Sequence, residues 1–246
     1  MRRARAAACL VIGVLWAGGA KAACAPLVHE GRGHVVCTVE AGEDLRLWLR
    51  DPAGLVWGGF DRLARTLEAA GERLVFAMNA GMYHPDRTPV GIFRGEGGDA
   101  GRLVTSAGPG NFGMLPNGVF CVRPDAFAVI ESRAFAAAPP DCAGASQSGP
   151  MLVIDGALHP RFLEDATSRF VRNGVGVSAD GQTAHFAISD RPVTFHEFAR
   201  LFRDVLDTPQ ALYFDGNVSR LHAPALGRSD RGRRLGPLVG LVVPAE

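Results

Sequence analysis

The chain has 246 residues, 47% of them hydrophobic and 21% charged, the balance of an ordinary globular protein. Its formal charge of +1 comes from the first 22 residues: Arg2, Arg3, Arg5 and Lys21 lie there with no acid, and the remainder carries 22 basic against 25 acidic residues. A nucleic-acid partner, which calls for a basic face, is therefore not expected. Because Lys21 is the only lysine, Schiff-base, P-loop-lysine and pyridoxal chemistry are excluded from residues 23–246.

Residues 1–22 read as a secretory signal peptide, with a basic start (MRRAR), an apolar run and a small-residue site ending at Ala22. The run from Ala6 to Ala20 is 15 residues, short of the roughly 20 that span a bilayer. No stable membrane span is expected after cleavage, and the location is periplasmic or secreted; an uncleaved anchor is the alternative. Lys21 ahead of Cys24 makes a poor lipoprotein box. Residues 23–246 then form one domain. Cys9 leaves with the signal, and the remaining Cys24, Cys37, Cys121 and Cys142 point to disulfides in an exported chain. Three pairings are open, of which sequence order favours Cys24–Cys37 and Cys121–Cys142. The rival, a zinc site, lacks CxxC pairs and metal-spaced histidines.

Along the chain, residues 34–51 contain two strands, the second with Leu45, Leu47 and Leu49 alternating with Arg46, Trp48 and Arg50. Phe60, Leu63, Ala64 and Leu67 share a helical face that Gly71 closes. LVFAMN is a buried strand ending at Asn79. Residues 80–118 are glycine-rich and loop-like, crossed by short strands around Gly91–Arg94 and Leu103–Thr105; so long a loop is often functional. VFCV and AFAVI are strands, 138–150 is a loop, and hairpins turn at Asp155-Gly156 and Asp180-Gly181. Thr194 and Glu197 form a capping box for an amphipathic helix that Pro209 ends. ALYF then leads to Asp215. The expected fold class is α+β: a single domain, mixed and mostly antiparallel sheet with few helices.

Familiar catalytic signatures fail. GASQSGP resembles a nucleophile loop but is not GxSxG, which leaves Ser148 a weak candidate for a nucleophile, and HEFAR is not HExxH. No GxGxxG follows a first strand, so a nicotinamide enzyme is not expected. What recurs is a polar residue beside glycine at a strand end: Asn79-Ala80-Gly81, Asn117-Gly118, Ser148-Gly149, Asn173-Gly174 and Asp215-Gly216-Asn217. Glycine lets backbone approach a ligand, and amide side chains both donate and accept, as sugar hydroxyls require. Each pair alone is an ordinary turn; five at strand ends point to a polar pocket.

FAMNAGMY resembles the NGGYF-type motif of the phosphodiester glycosidase family, SGPMLV its GPxL element, RNGVGVS its R-x-x-x-G element and YFDGNVS its DGGGS element. The order agrees, over roughly residues 74–222, and the nearest likeness is to a bacterial exported subgroup of uncovering-enzyme-like (N-acetylglucosamine-1-phosphodiester α-N-acetylglucosaminidase) domains. Ala80 replaces a glycine of the first motif, and Asn217-Val218 two glycines of the last.

The resemblance implies hydrolysis of a sugar-1-phosphate link in envelope or extracellular polysaccharide. Ordinary glycosidases pair two carboxylates, one protonating a poor leaving group; phosphate leaves as a stable anion, so one carboxylate suffices. Asp215 is the expected catalytic acid residue, as nucleophile, as base for water or as electrostatic partner of an oxocarbenium-like centre, with Asp190 as the other strand-end acid. Arg172 suits the phosphate through its planar fork. Asn79, Gly81, Tyr83, Asn117, Ser148, Gly149, Asn173, Gly216, Asn217 and Ser219 are the expected substrate-binding residues for a carbohydrate or sugar-phosphate. No cofactor or metal is assigned; asparagine and aspartate oxygens suit calcium, but no EF-hand-like acidic run supports it. The competing reading is a non-catalytic periplasmic glycan-binding or envelope-assembly protein using the same pocket.

Overall fold

In the computed structural model, residues 23–245 are described; the signal-peptide expectation falls outside them. In chain order the strands begin with β1 (Cys24–His29), β2 (Arg32–Glu40), β3 (Leu45–Trp48), β4 (Glu72–Asn79), β5 (Phe93–Arg94), β6 (Gly118–Val122), β7 (Phe127–Glu131) and β8 (Gly144–Ser148). They continue with β9 (Met151–Ile154), β10 (Ala157–Leu158), β11 (Asn173–Val177), β12 (Thr183–Ser189), β13 (Gln210–Asp215), β14 (Leu221–Ala223), β15 (Arg228–Ser229) and β16 (Leu238–Pro244). The α-helices are α1 (Phe60–Ala69), α2 (Ser132–Ala137) and α3 (Phe195–Arg200). The domain is α+β, with strands in the order β1-β2-β12-β11-β13-β9-β10, β15-β14-β4-β16-β3 and β5-β8-β6-β7. Neighbouring strands pair antiparallel throughout.

Period-two alternation sorts the side chains between a shared interior and the helices outside it. Phe76 and Met78 of β4, Phe120 and Val122 of β6, Phe186 and Ile188 of β12, and Leu212 and Phe214 of β13 all point into one core between the three sheets. The alternate residues face outward. Ala187, Ala211 and Tyr213 pack against Phe198 and Phe202 of the α3 segment, Ala77 and, across a register shift that leaves Val75 extra, Leu74 against Phe60, Leu63 and Leu67 of α1, and Val119 and Cys121 against Phe135 of α2. The central strands of each sheet are thus covered on both faces, which is why β4, β6, β12 and β13 read as largely apolar runs.

Both favoured disulfides are formed. Cys24 and Cys37 sit opposite each other in the β1–β2 register, and Cys121 joins Cys142. The Asp155-Gly156 hairpin has φ of 48° and 78°, the type I′ pattern that matches strand twist. The capping box of Thr194 and Glu197 is present, but the helix is α-helical only to Arg200 and continues as a π-helical turn over Leu201–Val205.

Three expectations are corrected. The 138–150 loop contains β8, a buried strand between β5 and β6. Its GASQS sequence has no β-branched residue, and its small and polar side chains are needed for close packing and cross-sheet hydrogen bonds. No strand forms at Leu103–Thr105; the Gln147 amide takes both the N–H (3.0 Å) and the C=O (2.6 Å) of Val104, doing with a side chain what a neighbouring strand would do. Trp48, expected on the open face of β3, is buried under α1 with Trp57 and Phe60.

Candidate active site

β13 ends at a bulge: Asn173 pairs with Asp215 and Gly174 with Tyr213, leaving Phe214 as the extra residue. Bulges of this kind re-aim the side chain that follows them. The chain then turns sharply, and a Cβ on Gly216 would lie 2.0 Å from the Tyr213 hydroxyl, so only glycine fits. The turn folds the amides of Gly216 and Asn217 onto Asp215 Oδ1 at 2.6 and 2.8 Å. Asp215 is only 7% exposed. Burial pushes its carboxyl above the usual carboxylate range, and the amides of Asn217, Gly216 and Val218 oppose this without cancelling it.

A polar seam holds this turn against the neighbouring sheet. Asn79, at the end of β4, donates from Nδ2 to Asn173 Oδ1 (3.2 Å), and Asn173 Nδ2 donates to the Asn79 carbonyl (2.7 Å). Asn79 Oδ1 accepts the Arg220 amide at 2.9 Å. Ser219 donates to the Asp215 carbonyl (2.7 Å) and lies 3.1 Å from Asn173 Oδ1. Ser148 Oγ donates to the Phe214 carbonyl at 2.9 Å and Ser146 Oγ to the Ala80 carbonyl at 2.5 Å, bringing in the third sheet. Gly81 (φ 152°) passes so close to Ser146 that a Cβ there would sit 2.9 Å from its hydroxyl. Asn79→Ala strands the buried Arg220 amide and is expected to lower stability by about 3 kcal/mol, read as a shift in denaturation midpoint at constant slope.

A cavity of about 590 Å³ opens beside Asp215, lined also by Met82, Tyr83, His84, Arg87, Asn217, Arg233 and Arg234. The Tyr83 hydroxyl donates to the Arg234 carbonyl at 3.2 Å. Its pKa is raised, mainly by burial and further by Asp215, while Arg87, Arg220 and Arg233 act against that. On the other side of the turn, a second cavity of about 650 Å³ is lined by Gly216, Asn217, Ser219, Arg220, Arg231 and Asp190. Asp190 is exposed and accepts from Arg228 at 3.0 Å.

Arg172 lines neither cavity. It is fully buried, its guanidinium 3.7 Å from the Phe195 ring centroid. It donates to the Val193 carbonyl (2.9 Å), the Ser168 carbonyl (3.2 Å) and the Tyr213 hydroxyl (3.3 Å). Burial draws its pKa below the ordinary arginine value, with Tyr213 opposing. The hydroxyl it holds is the one that crowds Gly216, so Arg172 adjoins the Asp215 turn from beneath.

Among the expected residues, Asn79, Asn173, Asp215, Gly216, Asn217 and Ser219 are thus brought together, with Tyr83 across the cavity. Asn117 and Gly149 are elsewhere: Asn117 donates to the Phe112 carbonyl (3.1 Å), and a Gly149 Cβ would lie 2.5 Å from the Asn117 Cβ. The sequence reading missed Arg87, Arg220, Arg233 and Arg234. For Arg233 and Arg234 the signal was the RGRR run at 231–234 in a chain with no lysine beyond Lys21; Arg87 and Arg220 had none.

A model of the phosphodiester glycosidase family matches residues 72–224, and the chain belongs to that family. It is 32% identical over 180 residues to YigE of Escherichia coli strain K12, covering 73% of this chain and 70% of that one. Among solved structures it is similar to the zebrafish N-acetylglucosamine-1-phosphodiester alpha-N-acetylglucosaminidase catalytic domain auto-inhibited by pro-peptide. That likeness has a TM-score of 0.60 at 13% identity and covers 89% of this chain and 81% of the other, a likeness of fold. The family match takes in Asn79, Asn173, Asp215 and Ser219 and stops short of the arginines at 231–234.

Proposed function

We propose that this protein is an exported hydrolase that cleaves a glycosyl phosphodiester of envelope or extracellular polysaccharide. The observation that carries the reading is one buried carboxylate facing a cavity whose other charged walls are arginines. Arg87, Arg233 and Arg234 make no ion pair among the described residues. Their guanidinium groups neutralise the phosphodiester and the charge that builds on it as the glycosidic bond breaks. Asp215 supplies negative charge at the anomeric carbon, as nucleophile or as base for water. Tyr83 and Asn217 offer a ring face and an amide to the sugar. Asn79, Asn173 and Ser219 hold the Asp215 turn in place, and Arg172 does so from below through Tyr213. The two disulfides fit an oxidising compartment.

The test is hydrolysis of an α-glycosyl phosphodiester against the matching alkyl α-glycoside. Only the first is expected to turn over, because among the described residues no second carboxylate lines the Asp215 cavity to protonate an alkoxide. The rate should rise with pH through the raised Asp215 pKa, since the ionised form reacts, and then hold level. A bell-shaped profile, or cleavage of the alkyl glycoside at a similar rate, would reveal an acid partner and reject this assignment.

A further inference from the structure

The arginines outside the Asp215 cavity extend the binding surface. A third groove of about 420 Å³ runs between α1 and residues 230–234, and its walls include Arg62, Arg65, Arg220, Arg231 and Arg234 against Asp61 and Asp230. It adjoins both cavities, sharing Arg234 with the Asp215 cavity and Arg220, Asp230 and Arg231 with the Asp190 cavity. Some of the charge is already satisfied: Arg62 pairs with Asp51 at 2.9 Å, and Arg228 with Asp190 and Asp230. Arg65, Arg220 and Arg231 join Arg87, Arg233 and Arg234 in making no ion pair among the described residues. Arginines with no neutralising carboxylate repel one another, and residues 23–246 carry more acids than bases, so this face is a local asymmetry rather than a general basic character.

One phosphodiester occupies one cavity; six guanidiniums with no carboxylate partner among the described residues, along three adjoining depressions, exceed what it needs, although those of Arg87, Arg220 and Arg234 each donate to a backbone carbonyl. We infer that the substrate is a polyanionic glycan, a chain with phosphate or uronate charge on successive repeats. The repeats beyond the scissile bond lie over Arg220, Arg231 and Arg65. This rests on the hydrolase reading and adds the substrate class to it. Each anionic repeat gains a guanidinium contact, and those to the exposed Arg65 and Arg231 weaken as salt rises, whereas Arg220 is 9% exposed.

Binding is measured by calorimetry on the full-length Asp215→Asn chain, which separates affinity from turnover. The probes are a phosphodiester-linked oligosaccharide of about four repeats, its single repeat, an oligogalacturonate and an oligothymidylate of equal charge. The four-repeat probe is expected to bind about tenfold tighter than the single repeat at low salt, with the advantage shrinking as salt rises. Arg65→Glu, an exposed α1 position outside both cavities beside Asp215, should cut that advantage to about twofold and leave single-repeat affinity unchanged. Oligogalacturonate binding like the four-repeat probe would assign recognition to charge on a sugar chain of either kind and supports the inference. Equal affinity for one and four repeats, an Arg65→Glu variant with the full advantage, or equally tight oligothymidylate binding overturns it. Length-dependent binding with no wild-type hydrolysis would reject the hydrolase reading and leave the groove standing; hydrolysis without length dependence does the reverse.

Discussion

Asp215→Asn is expected to lower turnover of a glycosyl phosphodiester by about 1,000-fold or more, while sugar-phosphate affinity stays level or tightens. The substitution keeps the size of the side chain, and its amide oxygen still accepts from Gly216 and Asn217. What disappears is the negative charge, which serves the anomeric carbon but repels the phosphate. Folding stability should not fall. Asp215 has a folded-state pKa raised by burial, so whatever stability it contributes is present below its unfolded value and lost as pH rises through the folded one. At neutral pH the ionised carboxylate is therefore a burden on the fold, and a neutral amide removes it. Thermal unfolding at pH 7 should show a melting temperature equal to or above that of the wild type. Loss of activity together with loss of stability and binding would mean that Asp215 only makes a corner.

Arg172→Ala should have the largest effect on the fold, about 4 kcal/mol or more of stability, measured by chemical denaturation. The arginine fills a slot between Phe195 and Tyr213 and satisfies the Val193 and Ser168 carbonyls and the Tyr213 hydroxyl. Truncation leaves a void and removes one hydrogen bond from each of three polar groups, of which the Val193 carbonyl still accepts from the Phe170 amide. Arg172→Met refills part of the slot without the hydrogen bonds and should fall between wild type and alanine. A stable Arg172→Ala protein that has lost only phosphate affinity would show instead that the guanidinium reaches the ligand, as the sequence alone implied.

The sequence carried the fold where local chemistry is stereotyped. Asp155-Gly156 and Asp180-Gly181 announced hairpins, Thr194 and Glu197 a helix start, and the cysteine order both bridges. Apolar strands covered on two faces were legible by their runs. β8 was not, because GASQS has the composition of a loop and is a strand only because neighbours on both sides accept it. The Gln147 amide that substitutes for a strand at Val104 leaves no periodic trace either.

At the site, strand-end positions were readable and side-chain surroundings were not. Asn79, Asn173 and Asp215 stood out as polar residues beside glycine or next to an apolar run, Ser219 through the likeness of its segment to the DGGGS element, and the fold brings them to one seam. The charge of an arginine says nothing of its burial: Arg172 looked like a ligand-facing cation and is enclosed by aromatic rings. Arg87 and Arg233 lie in irregular segments, where no periodicity points a side chain, and only the folded chain sets them beside a carboxylate more than a hundred residues from Arg87.

The most direct measurement is a crystal structure of the Asp215→Asn protein with an intact α-glycosyl phosphodiester. The phosphate is expected against Arg87 and Arg233, with the anomeric carbon within about 3.5 Å of the residue 215 side chain, close enough for attack. A sugar phosphate seated in another depression, or with its anomeric carbon turned away from residue 215, would contradict the account.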